Sequence, residues 1–154
     1  MINLYTKKNN CCSCTACMNI CPKQAIVMKP DKNGFTFPEI NKDLCIECGL
    51  CKKICAFQNI SVNGDDPIAT YVAINKSSNI LSASASGGIF GALASLVFDK
   101  KGVVFGCAYN KNMEPKHICV DNLLDMKKIQ GSKYIQSDIN TTYIEAKRYI
   151  KNGR

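Results

Sequence analysis

The sequence contains no tryptophan and only one histidine, His117, among its 154 residues. It also offers no Ser-His-Asp or Cys-His arrangement from which an activated nucleophile could be built. We therefore assign no catalytic residue. We expect His117 to be structural or to lie at the surface.

Long apolar stretches are missing too. The first ten residues, MINLYTKKNN, lack the apolar core of a signal peptide. The longest apolar run, residues 89–98, is far short of the roughly 18 residues that a membrane span needs. These absences predict a cytoplasmic protein without a membrane span, and they argue against a secreted scaffold held by disulfides.

Cysteine is abundant instead: there are eleven, and eight of them form two sets with the same spacing, C-x2-C-x2-C-x3-C. Each cysteine of the first set recurs 34 residues later in the second. A constant offset of this kind is the mark of a duplicated unit. The sets are Cys11, Cys14, Cys17 and Cys21, then Cys45, Cys48, Cys51 and Cys55.

This spacing is typical of loops that bind four-iron clusters, and Pro22 after the last cysteine of the first set is the arrangement of bacterial ferredoxins. Such a loop wraps three iron corners, while its fourth cysteine points away and ligates the other cluster. We therefore predict two [4Fe-4S] clusters. One would be held by Cys11, Cys14, Cys17 and Cys55, and the other by Cys45, Cys48, Cys51 and Cys21.

Zinc is the alternative metal, since C-x2-C pairs also build zinc ribbons with four thiolates. Zinc needs only two such pairs per site, whereas here four cysteines fall within eleven residues, twice. That density favours iron–sulfur clusters. Ala56 stands where a second proline would be usual, but this departure removes no ligand.

Three cysteines remain outside the repeat. Cys12 corresponds to Ile46 in the second set, while Cys107 and Cys119 lie in the strand-like segments GVVFGCAY and HICV. Free cysteine is among the most buried residue types, so we expect all three to act as small apolar side chains.

The formal charge of +8 comes from lysines that are scattered singly or in pairs, without a block of like charge. Two oxidised clusters, each about −2 with its thiolates, would lower +8 to about +4. We therefore expect these lysines to be solvated surface residues and predict no nucleic-acid partner.

Two segments indicate how the chain divides. Between the cysteine sets, AIVMKPDKNGFTFPEI alternates apolar and polar residues around Asn33-Gly34, which predicts a β-hairpin. Residues 61–67, SVNGDDP, gather turn formers and predict a linker. We expect a ferredoxin-type domain over 1–63 and a second domain over 68–154.

The second part mixes strands and helices. It predicts a buried helix from about Gly88 to Asp99 and a short helix in DNLLDMKKI. A last helix is expected to place Ile139, Tyr143, Ala146 and Ile150 on one face. Strands are expected in IATYVAIN (68–75), GVVFGCAY (102–109), KHICV (116–120) and SKYIQS (132–137). The predicted fold class is α+β: a ferredoxin-like dicluster module followed by a partial mixed α/β domain.

Ser86, Gly87 and Gly88 precede the first of these helices. Glycines where a loop enters a helix let a ligand approach the backbone, and the unpaired N–H groups of the first turn favour a phosphate. On the pattern alone, such a run is at least as often a plain helix start.

Three segments follow the dicluster module in the sequence: SGGIF (86–90), GVVFG (102–106) and GSKYIQSD (131–138). With these segments in this order, the chain resembles the beta-subunit family of coenzyme F420 hydrogenases and dehydrogenases. The resemblance implies that residues 68–154 are the N-terminal part of a longer, flavin-binding α/β domain. Ser86, Gly87 and Gly88 would lie at an FAD, with Lys133 and Tyr134 as further residues of its pocket.

The family implies an iron–sulfur flavoprotein oxidoreductase subunit that passes electrons between two [4Fe-4S] clusters and an FAD. The FAD would be coupled to the deazaflavin coenzyme F420 or to another two-electron substrate. A redox partner subunit or an electron carrier protein would exchange electrons with the chain. The alternative is a non-catalytic, ferredoxin-type electron-transfer protein with a docking domain and no flavin.

Overall fold

The computed structural model describes residues 2–59, 64 and 66–154. The chain separates into two compact units, Met1–Asp65 and Asp66–Arg154. Residues 61–63 and 65 of the expected linker lie outside the described residues. The linker and the domain limits 1–63 and 68–154 therefore stay predictions.

The first unit combines two short helices with one hairpin. Its elements are α1 (Ala16–Ile20), β1 (Ile26–Pro30), β2 (Thr36–Ile40) and α2 (Leu50–Lys53), preceded by a 3₁₀ turn over Lys8–Asn10. A small apolar core forms where Leu4, Ile26 and Cys51 are buried together. The N-terminal segment is thus packed against both the hairpin and the second cysteine loop.

The predicted hairpin is confirmed. Strands β1 and β2 pair antiparallel from Ile26 opposite Ile40 to Pro30 opposite Thr36. The connecting loop is closed mainly by Asp31, whose Oδ1 accepts the backbone N–H groups of Asn33 at 2.9 Å and Phe35 at 3.1 Å. The hairpin spaces the two cysteine loops, as the sequence predicts.

The duplicated sequence folds into a duplicated backbone. Positive φ angles occur at Ser13 (57°) and Thr15 (60°), and again 34 residues later at Glu47 (54°) and Gly49 (74°). The fourth cysteine of each set closes the helical turn that precedes it, with N···O distances of 3.3 Å from Cys21 to Met18 and from Cys55 to Lys52. The two loops are structural repeats and not only repeats in sequence.

The second unit places helices around another hairpin. Its elements are α3 (Ser78–Ser82), α4 (Ile89–Asp99), β3 (Val104–Tyr109), β4 (Pro115–Val120), α5 (Leu123–Ile129) and α6 (Thr142–Lys151). Strands β3 and β4 pair antiparallel from Val104 opposite Val120 to Tyr109 opposite Pro115. The core of this unit is small, with Ala108, Val120 and Ile129 buried.

Five elements of the second unit were predicted, and the structure confirms them: α4, α5, α6, β3 and β4. The mixture of helices with small antiparallel sheets confirms the α+β class. Within the described residues, no helix combines the length and the hydropathy that crossing a membrane requires.

The two other predicted strands are wrong. Residues 68–75 form no ladder, and Ile68 and Val72 are fully exposed. Residues 132–137 form none either, although a single bridge joins the following Asp138 to Lys116 of β4. Both segments have strand-like composition, but composition alone does not supply a pairing partner.

The predicted burial of α4 is wrong. Only Gly91 and Ala94 of this helix are buried, while Leu93 and Leu96 are each 58% exposed. Helix α6 begins at Thr142, so Ile139 of the expected apolar face lies before it, and Tyr143 and Ile150 of that face are exposed. Tyr149 packs inwards instead, with its ring edge-on to Phe105 at 6.2 Å between centroids.

Candidate metal centre

A first cavity in the first unit is lined by cysteines from both halves of the repeat. Cys11, Cys14 and Cys17 come from the first loop, and Cys55 comes from the end of the second. The rest of the wall is largely apolar and includes Leu4, Tyr5, Met28, Pro38 and Phe57. The structure thus brings together the four residues predicted to hold one cluster.

A second cavity in the same unit has the reciprocal composition. Cys45, Cys48 and Cys51 come from the second loop, and Cys21 comes from the end of the first. Apolar side chains complete the wall: Ile2, Ile26, Ile40, Ile46 and Leu50. Cys51 is buried and lines both cavities.

Backbone conformation explains why the fourth cysteine of the first loop reaches the other cavity. Two left-handed residues, Ser13 and Thr15, curl the chain so that Cys11, Cys14 and Cys17 face one space. Helix α1 follows at once, and Cys21 leaves its end with an extended conformation, φ −69° and ψ 112°. The chain then turns toward β1, which carries the Cys21 side chain to the second cavity.

Sulfur atoms in both cavities already accept backbone hydrogen bonds. The N–H of Ser13 donates to Cys11 Sγ at 3.4 Å, and the N–H of Ala25 donates to Cys21 Sγ at 3.3 Å. Bonds of this kind stabilise thiolates and tune the potentials of bound clusters.

Burial has the opposite effect on the cysteines, because it favours the neutral thiol over the thiolate. Desolvation is the largest cause that raises the pKa of Cys17, to about 12, and it also raises the pKa of Cys51. Both groups are therefore protonated thiols at neutral pH when no metal is bound. Because metal ligation requires thiolates, loading the site must release protons.

The donors that line both cavities are cysteine thiols, the ligands of iron–sulfur clusters. Among the residues that the structure describes, no three Cys, His, Asp or Glu side chains converge closely enough to hold one metal ion. Thiolates that bind separate irons of a cubane lie farther apart than those that share one zinc ion. Each cavity has at least four thiol donors, largely apolar walls and at least one N–H directed at sulfur, and so fits a [4Fe-4S] cluster.

Comparison with known proteins supplies the deciding observation. Residues 10–59 match the family described as "4Fe-4S dicluster domain". The matched residues lie within the first unit, which is thus similar to a dicluster domain. Iron–sulfur electron transfer is therefore the class of chemistry of this unit, as the cysteine repeat predicts. No curated protein matches the chain, and the dicluster match does not extend to residues 68–154.

The predicted flavin residues of the second unit lie in two segments, and the first of these precedes α4. Ser86 is exposed, whereas Gly88 is buried and caps α4 with φ 75°. A side chain at Gly87 would collide with the carbonyl oxygen of Ala73, and Gly87 O accepts the N–H of Asn75 at 2.7 Å. Packing against residues 73–75 therefore accounts for Gly87 without a ligand.

The second segment follows α5. Lys133 Nζ donates to the carbonyl oxygens of Gln130 at 2.7 Å, Gly131 at 3.1 Å and Lys128 at 3.3 Å. Its ammonium group thus binds the carbonyl end of α5. Tyr134 is 94% exposed. A role of these two residues in a cofactor pocket stays a prediction.

The three cysteines outside the repeat and the single histidine differ in their burial. Cys12 is exposed at the rim of the first cavity, so the expectation of a buried apolar role for it is wrong. Cys107 and Cys119 are half-buried on β3 and β4. His117 is half-buried with Nδ1 2.8 Å from the hydroxyl of Ser137, which agrees with a structural role.

Sequence reasoning missed the residues that cover the first cavity. Leu4 and Tyr5 come from the N-terminal segment, and Phe57 follows the second loop. Apolar residues outside a motif have no characteristic spacing, so no pattern marks them as part of a metal site.

Proposed function

We propose that this chain is an electron-transfer subunit of an iron–sulfur oxidoreductase and holds two [4Fe-4S] clusters in its first unit. The observation that carries the proposal is that each of two neighbouring cavities is lined by three cysteines of one loop and the fourth of the other, while Cys51 lines both and Cys12 also lines the first. When bound, each cluster accepts and releases one electron at a time.

The chain's own residues would have two tasks in this function. The eight cysteines hold the clusters in neighbouring cavities, and the shared wall at Cys51 keeps the path between them short. Apolar side chains such as Leu4 and Ile26 exclude water, which limits solvent reorganisation and helps to set the potentials. Neither task needs a general acid or base.

Anaerobic reconstitution with iron and sulfide, followed by dithionite reduction and electron paramagnetic resonance, tests this proposal. We expect two interacting signals that together integrate to about two spins per chain. Zinc retained in the cysteine sites after reconstitution, or iron that dithionite does not reduce, would contradict the proposal.

We further propose that the second unit contributes to an FAD site, as in the F420 hydrogenase and dehydrogenase beta-subunit family that the chain resembles. FAD exchanges electron pairs with a substrate such as coenzyme F420 and single electrons with clusters. Support comes from Gly88, whose φ of 75° starts the eleven-residue helix α4 beside the exposed Ser86. A redox partner subunit would then receive or supply the single electrons.

Equilibrium dialysis of the full chain against FAD tests the flavin proposal. We expect about one FAD bound per chain, and weaker binding by Ser86→Glu, because an exposed carboxylate there would repel the pyrophosphate. Ser82→Glu, an exposed serine at the end of α3, is the matched control and should bind normally. Absence of FAD binding by the unmodified chain would contradict the flavin proposal alone.

A ferredoxin-type protein without flavin is the second candidate. It is favoured by the contacts that already account for two of the flavin residues: Gly87 packs against the carbonyl of Ala73, and Lys133 binds three carbonyls at the end of α5. Two reducible clusters without FAD binding would select this candidate.

A further inference from the structure

The two cysteine loops share a backbone but expose different side chains. In the second loop, three apolar residues point to solvent: Leu44 is 50%, Ile46 58% and Leu50 40% exposed. The residues 34 positions earlier are Asn10, Cys12 and Ala16. Since the backbones match, the two loops differ in their exposed side chains and not in the conformation that places the cysteines. We call Leu44, Ile46 and Leu50 the apolar collar.

One predicted cluster ligand beside the collar, Cys48, is also more accessible than its counterpart in the first loop. Cys48 is exposed, whereas Cys14, its equivalent in the first loop, is only half-buried. Electron transfer falls steeply with distance, so the site at Cys48 is the better placed of the two for exchange with another protein.

The charged residues around the collar are mainly basic. Four lysines are exposed next to the second cysteine set or in the wall of its cavity: Lys23, Lys42, Lys52 and Lys53. The exposed carboxylates of the same stretch are Asp43 and Glu47. An apolar centre with a basic rim complements a partner that has an apolar contact patch surrounded by acidic side chains.

We propose that the apolar collar is the docking surface for an acidic electron-carrier protein, which exchanges electrons with the cluster held by Cys45, Cys48, Cys51 and Cys21. The inference rests on the proposed dicluster function and names the partner of its second cluster. In the step, one electron leaves the reduced cluster and reduces the one-electron cofactor of the partner, and no bond forms or breaks.

Stopped-flow oxidation of the reduced, reconstituted full chain tests this proposal. Cytochrome b5, a small acidic haem protein, serves as the protein acceptor, and a neutral benzoquinone serves as a small acceptor that needs no docking surface. We expect Leu44→Ser, at the collar residue that lines neither cavity, to lower the second-order rate constant with cytochrome b5 about fivefold or more and to leave the quinone rate and the iron content unchanged. Phe35→Ser, which alters a hairpin-loop residue that is 59% exposed, is the matched control and should change neither rate.

The charges are tested separately. Lys52→Gln combined with Lys53→Gln should slow the reaction with cytochrome b5 at low ionic strength, and the difference should disappear in high salt. Equal rates for Leu44→Ser and the unmodified chain would overturn the docking proposal, as would an equal loss with Phe35→Ser or with the quinone. If the unmodified chain had no reducible clusters, the docking proposal and the proposed function would fail together. Full iron content with no effect of Leu44→Ser would refute only the docking surface.

Discussion

Cys21 is the residue on which the crossed assignment of ligands depends. It belongs to the first loop in sequence, yet it lines the second cavity beside Cys45 and Cys48. Its Sγ accepts the N–H of Ala25 at 3.3 Å, which helps to hold its side chain in that position. A separate cluster for each loop would instead require Cys21 in the first cavity.

Replacing Cys21 should therefore damage the cluster anchored by Cys45, Cys48 and Cys51. We expect Cys21→Ser to lower the iron content from about eight to about four per chain and to leave the same paramagnetic signal as Cys48→Ser. Cys55→Ser should instead leave the same signal as Cys14→Ser. Iron analysis and paramagnetic resonance of the four variants measure the pairing.

Cys12→Ser is the control for these substitutions. Cys12 lies at the rim of the first cavity but corresponds to Ile46 in the repeat, so we expect the iron content to remain at about eight. Loss of iron from this variant would overturn the proposed register of ligands.

Close packing requires a glycine at position 87, just before α4. A Cβ atom there would collide with the carbonyl oxygen of Ala73, and relief of such a clash costs about 1–3 kcal/mol. We therefore expect Gly87→Ala to accelerate hydrogen exchange of the amides in residues 73–75, measured by mass spectrometry. In Gly64→Ala the new Cβ would meet no described atom within 4 Å, and exchange should be unchanged. Unchanged exchange in Gly87→Ala would show that this contact does not hold residues 73–75.

At the scale of elements, the features determined by nearby residues could be predicted. The hairpin β1–β2 follows from alternation and a turn, and α5 follows from a capping asparagine before an apolar run. The cysteine loops follow from spacing, since ligands of one cluster must be near each other in sequence. The left-handed Thr15 could not be predicted, because a β-branched residue rarely adopts φ 60° and only its counterpart Gly49 indicates that conformation.

Strands that depend on distant partners could not be predicted in the same way. Residues 68–75 and 132–137 have β-branched and aromatic side chains, but β-propensity mainly reports how well a side chain packs against its neighbours on a sheet. Strands β3 and β4 pair with each other, and β4 offers only the single bridge at Asp138 to the later segment. No local feature of the sequence indicates which of these strand-like segments pairs with another strand.

Helix α5 provides a test at this scale. Asn122 Oδ1 accepts the N–H of Asp125 at 2.9 Å and so satisfies one of the free amides of the first turn. Asn122→Ala should cost about 1 kcal/mol, which corresponds to about fivefold faster hydrogen exchange in residues 123–129. Asn112→Ala, an exposed asparagine in the turn between β3 and β4, should leave that exchange unchanged. Equal exchange in both variants would show that the cap does not stabilise α5.

At the scale of the whole molecule, the chain joins a unit determined by its cysteines to a unit with a small core. In the first, the repeat predicted two equivalent loops separated by a hairpin, but not the N-terminal segment that packs against them or the left-handed Thr15. In the second, an apolar helix was expected to be buried, yet Leu93 and Leu96 remain 58% exposed. Hydrophobic patterning predicts that a helix exists but does not specify what covers it.

The central claim for the molecule is that one short unit binds two four-iron clusters with ligands exchanged between its two loops. The most direct test is the iron and acid-labile sulfide content per chain after anaerobic reconstitution of the full protein. Two clusters predict about eight irons and about eight sulfides per chain. About four irons per chain, or zinc in place of iron, would contradict the claim.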